Sequence, residues 1–151
     1  MTGRASVISQ DVATLLEEAS LPLVCRVRRS HLPRSDRDDL ERTTVTVAPL
    51  SATVARAARG TWSESHEIAV GVQKALRSSS PDREIDELTS LVEAIAALLP
   101  ESDLVSVPDA EVVSVEISPL VSQEHLDSLR QFTGVVRVVY RIHRTEASAW
   151  L

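Results

Sequence analysis

Apolar positions along this chain recur with two different spacings, and the switches between them predict its helices and strands. From Ser9 to about Ala19, residues Val12, Leu15, Leu16 and Ala19 share one helical face. Ser9 is placed to cap that helix, and the Leu21-Pro22 pair stops it. Leu23, Cys25 and Val27 then alternate with Val24, Arg26 and Arg28, the period of a half-buried strand. Residues 30–40 have no apolar period and are expected to form a charged loop. Thr43 to Pro49 is β-branched and alternating, a strand that proline should end. Residues 50–60, rich in small side chains, are expected to be a second loop. A long strand returns from Thr61 to Gln73 with Trp62, Ile68, Val70 and Val72 on one side. Glu64 and His66 share that side, so its first half is expected to project beyond the core. Together the two strands predict an extended hairpin with a long, exposed tip.

The strongest helical period follows Ser80-Pro81. Ile85, Leu88, Leu91, Val92, Ile95, Leu98 and Leu99 recur at three- and four-residue spacings, and Pro100 ends the run. Asp82, Glu84, Asp86 and Glu87 load its first turns with the charge that a helix dipole favours there. Residues 102–110 are irregular, residues 111–117 alternate as a strand, and Ser118-Pro119 turns the chain. Ser122 can cap a short helix carrying Leu126, Leu129 and Phe132, which Gly134 should break. A final strand places Val136, Val138, Tyr140 and Ile142 opposite Val135, Arg137, Val139, Arg141 and His143. The order α-β-β-β-α-β-α-β predicts an α+β fold: a mainly antiparallel (mixed) sheet with a long hairpin and its helices packed on one face. A single domain over residues 1–144 is expected, followed by a C-terminal tail, residues 145–151, that contains Trp150.

Composition narrows the chemistry. Aromatics make up only 3% of the residues, so Val, Leu, Ile and Ala must fill the interior and no aromatic-lined pocket is expected. The lone Cys25 rules out an internal disulfide, and it reads as a structural thiol. No apolar run approaches a membrane span and the first residues have no signal-peptide pattern, so a soluble, reducing compartment and no membrane partner are expected. The net charge of −6 conceals a basic region. Between residues 26 and 59 lie Arg26, Arg28, Arg29, Arg34, Arg37, Arg42, Arg56 and Arg59 against Asp36, Asp38, Asp39 and Glu41, leaving −10 for the remainder. Such polarity suits a subunit whose basic face meets an acidic neighbour, with non-specific contact to DNA phosphates as a further use.

Candidate catalytic groups are few. Asp36, Asp38, Asp39 and Glu41 could gather a divalent cation and run a metal-dependent nuclease. However, they lack the glycine and spacing of a calcium loop, and Arg34, Arg37 and Arg42 neutralise them. His31, His66, His125 and His143 lie on different elements without metal-binding spacing. No nucleophile elbow and no phosphate-binding glycine loop occurs. The expectation is therefore no cofactor, no metal and no enzyme. The surfaces expected to meet other proteins are the two loops with Arg34, Arg37, Arg42, Arg56 and Arg59, and the half-strand with Trp62, Glu64 and His66.

Four stretches, in order, resemble the small neck proteins of tailed bacterial viruses, of the tail-terminator or tail-completion type. They are Thr44-Val45-Thr46-Val47-Ala48-Pro49 after a charged loop, residues 65–74 (SHEIAVGVQK), residues 85–95 (IDELTSLVEAI), and residues 126–141 with Leu126, Phe132, Val138 and Tyr140-Arg141. The resemblance implies a tail-terminator-like fold and a virion protein at the head–tail junction, assembled in the host cytoplasm. It implies a homo-hexameric ring that caps the tail-tube protein, docks to the head-completion or connector protein, and has no cofactor. A head-completion or stopper protein bound to the portal is the related alternative.

Overall fold

A computed structural model describes residues 3–30, 41–77 and 79–145, with Thr145 described by its backbone alone. Helix α1 spans Arg4–Glu18, strand β1 Arg26–Arg29, β2 Thr44–Ala58 and β3 Thr61–Ala75. Helix α2 spans Asp82–Leu98, β4 Glu111–Ile117, α3 Gln123–Leu129 and β5 Gln131–Thr145. The expected order of elements is thus observed, in a mixed α+β fold. The five strands form one sheet in the order β1-β2-β3-β5-β4, antiparallel throughout except for the parallel β1–β2 pair.

Register explains the core. Val45 faces Val72 and Val47 faces Val70 across β2–β3; Val70 faces Val136 and Ile68 faces Val138 across β3–β5. Side chains alternate between faces, so these valines and isoleucines line one side of the sheet. Ile8, Val12 and Leu16 of α1 and Leu88, Leu91, Val92 and Ile95 of α2 join the same buried cluster, which puts both long helices on that side. Phe132, expected on the short helix, lies instead in β5 and is fully buried in this cluster. The opposite side carries small and charged residues, including ion pairs of Arg137 with Glu67 at 3.6 Å and Arg141 with Glu111 at 2.6 Å.

Two helix boundaries differ from expectation. Ser9 does not cap α1: the helix starts at Arg4, Ser9 is buried inside it, and its Oγ donates to the Ala5 carbonyl at 2.8 Å. That bond to the preceding turn satisfies a hydroxyl in a helix interior, while Val7 and Ile8 extend the apolar stripe upstream. At α3, Ser122 does cap, accepting from the His125 N–H at 3.3 Å. The helix ends at Arg130, in the left-handed region at φ 48°, rather than at Gly134, which lies inside β5. Because α3 buries none of its side chains, it depends on its cap. Ser122→Ala is expected to lower stability by about 1 kcal/mol. Amide exchange should speed up within α3 first, and unchanged exchange there would contradict the capping role.

The largest difference concerns residues 50–60. Instead of a loop, β2 continues to Ala58 and turns through Arg59-Gly60, with Gly60 at φ 76°. Alanine and serine have little strand preference of their own. Here they are held by pairing with β3, from Ser51↔Glu67 to Ala58↔Thr61. Pro49 does not end the strand. It lies beyond the last β1 pair, Arg29↔Val47, and beside a register shift, where a missing N–H breaks no ladder bond.

Candidate assembly surface

The hairpin of β2 and β3 is longer than the strands that flank it. β1 covers β2 only from Thr44 to Val47, and the last bond on that side joins the Ser30 N–H to the Val47 carbonyl at 2.9 Å. Beyond it, nine consecutive β2 positions, 50–58, are exposed. Among the described residues β3 pairs with this stretch on one side and no strand pairs with it on the other. On the far side of the sheet β4 pairs with β5 only between Val136 and Arg141. Among the described residues the turn end is therefore a three-stranded ribbon of β2, β3 and β5 whose outer edges have no strand beside them, where unpaired backbone groups can accept another strand.

The ribbon carries charge and apolar surface together. The Arg56 guanidinium sits 5.0 Å over the Trp62 ring, a stacking geometry that holds the arginine against the strand end. Arg59 stands exposed at the turn. Leu50 and Val54 are exposed on the same strand. Trp62 is half-buried. Arg42, exposed just before β2, stands at the opposite end of the hairpin from the turn and is not brought together with Arg56 and Arg59. Arg34 and Arg37 lie outside the described residues, as do His31, Asp36, Asp38, Asp39 and Trp150.

Glu64 and His66, expected on the assembly surface, are 3% and 4% exposed and belong to the interior of the chain. Glu64 Oε1 lies 2.5 Å from His66 Nε2 and accepts from Arg4 Nε at 3.1 Å, while Arg144 approaches Oε2 at 3.3 Å. The first turn of α1 and the end of β5 thus close over the carboxylate. Burial pushes the Glu64 carboxyl upward, but the His66 hydrogen bond and the charges of Arg4, His66 and Arg144 pull it down further, so it ends below its ordinary value. Tyr140, across from His66 in the β3–β5 register, is buried beside them. Its burial, and then the charge of Asp11, push the phenol up to about 12. The sequence signal for this cluster was present in the alternation: Glu64 and His66 share the Ile68–Val70 side of β3. Their partners, Arg4 and Arg144, had no local signal.

Two further polar groups among the described residues have partners of their own. His125 Nδ1 is 2.7 Å from Thr133 Oγ1, and Asp11 accepts from both the N–H and the hydroxyl of Ser106 at 2.8 Å. Burial raises the pKa of the Cys25 thiol, which keeps it out of the reactive thiolate form. Among the described residues no three His, Cys, Asp or Glu side chains gather as a metal site. No helix among them is long and apolar enough to cross a membrane. No protein-family model matches this chain, and no curated protein matches it either.

Proposed function

We propose that this chain is a structural subunit of the head–tail junction of a tailed bacterial virus, a tail terminator whose copies close into a ring over the tail tube. One observation carries the reading: the exposed nine-residue edge of β2, on a ribbon that extends past its flanking strands. Monomeric proteins blunt such edges with short strands, inward charges or covering loops. A nine-residue edge is matched by strand addition from a partner, in which main-chain bonds supply the attachment and side chains supply the choice. The Arg56–Trp62 stack and Arg59 at the turn suit a partner with acidic residues. The order of the four neck-protein-like stretches is a second support, since they fall on β2, β3, α2 and the run from α3 into β5.

Reversing the charge at the ribbon tip tests the assignment. Arg56→Glu combined with Arg59→Glu is expected to abolish ring formation, read by native mass measurement, and to abolish capping of purified tails. Both positions are exposed, so the fold, followed by circular dichroism, should be retained. Rings and capping at the wild-type level would overturn the reading. Binding to emptied heads in place of tails would move the protein to the portal side of the junction.

A further inference from the structure

We infer that the open edge of β2 pairs with the β4 edge of a second copy of this chain, antiparallel and head to tail. The inference rests on the assembly reading above and identifies its interface. β2 is antiparallel to β3, β3 to β5, and β5 to β4, so β2 and β5 run one way while β3 and β4 run the other. The sheet's two open margins, β2 beyond β1 and β4 at the far side, therefore have opposite directions. Copies related by rotation about an axis along the strands bring the β4 of one beside the β2 of the next in antiparallel orientation, with neither turned over. Such a contact uses a different surface on each partner, repeats, and closes when the rotation divides the circle. A β2-to-β2 contact would instead need one copy inverted, and would stop at two.

Charge follows the same scheme. Residues 50–60 contain Arg56 and Arg59 and no acid, whereas residues 105–117 contain Asp109, Glu111 and Glu116 and no base. The two levels are offset by a short stagger. Glu111 pairs with Arg141, Arg141 with Ser65, and Ser65 with Thr53, so the acidic start of β4 lies level with Thr53. Arg56 is three residues further along, about 10 Å at strand rise, a stagger that a tilted, closing sheet accommodates. Each of the two strands also exposes a valine, Val54 of β2 at 41% and Val113 of β4 at 48%, the latter beside the register shift in β4.

Cross-linking decides between the arrangements. In a Cys25→Ser background, Val54→Cys and Val113→Cys are introduced singly and together in the full chain, at concentrations where native mass measurement shows oligomers. A short bismaleimide is then added. The doubly substituted chain should give a ladder ending at the ring size. A mixture of the two single variants should give dimers only, and Val54→Cys alone should give no cross-link. Dimers from Val54→Cys alone, or oligomers without a ladder, would overturn the β2–β4 pairing while leaving the assembly reading intact. A chain that stays monomeric throughout would remove both.

Discussion

Glu64→Ala is expected to destabilise the fold by about 3–5 kcal/mol, the usual cost of removing one partner from a buried charge cluster. The Glu64 side chain is 4% exposed and pairs with Arg4, His66 and Arg144 together. Without it, basic groups from α1, β3 and β5 face one another in a water-poor site, and both α1 and the end of β5 lose their hold on the ribbon. Glu64→Gln preserves shape and some hydrogen bonding and should cost less. The two variants also define a pH test. The folded carboxyl lies below its ordinary value of 4.5, so Glu64 contributes stability that is fully present above the unfolded value. That contribution is lost as pH falls through the lowered folded value. Denaturant unfolding at a series of pH values should show the gap between wild type and Glu64→Gln narrowing below about pH 4.5. A gap that stays constant into strong acid, or no loss of stability at neutral pH, would refute this account of the cluster.

Gly134→Val is expected to cost at least about 3 kcal/mol, at the upper end of core overpacking. A Cβ at Gly134 would lie 2.7 Å from the Leu120 carbonyl oxygen, 2.9 Å from Val92 Cγ2 and 3.3 Å from the Phe132 ring. The carbonyl cannot easily retreat. Its segment is tied to β5 on both sides, by the Val135 N–H to the Pro119 carbonyl at 2.9 Å and the Ser122 N–H to the Thr133 carbonyl at 2.8 Å. Val92 is fully buried on α2. In a chain of this size the change should appear as a fall of roughly 6–12 °C in Tm. Gly71 supplies the control. It lies in β3 across from Val135, and a Cβ there meets nothing within 4 Å. Gly71→Ala should be neutral or slightly stabilising, because a strand glycine loses more backbone freedom on folding. Equal losses at both positions would mean that backbone preference, not close approach, governs Gly134.

What the sequence revealed, and what it hid, divides along physical lines. Periodicity reports how a segment meets water, so β3, α2, β4 and β5 were visible in their apolar spacing, and with them the order of elements. Residues 50–58 were hidden because Ala, Ser and Thr in mixed order have no period, and only pairing with β3 makes them a strand. Alternation puts Glu64 and His66 on the correct side of their strand but cannot show that they are buried, since the arginines that make their burial tolerable come from α1 and the end of β5. Gly134 reads in the sequence as a helix stop, where the real requirement is a close crossing of backbones. The exposure of Arg42, Arg56 and Arg59 is legible in the sequence, while the position of the acidic residues of β4 relative to them emerges only once strand directions are known.

β1 is only four residues long, and its last partner on β2 is Val47. That brevity has a practical side. Every residue added to β1 would cover another position of its neighbour, much as a longer sleeve covers more of an arm. Grafting further alternating residues after Arg29 should therefore yield a sealed variant, soluble and solitary, against which the behaviour of the natural molecule can be compared.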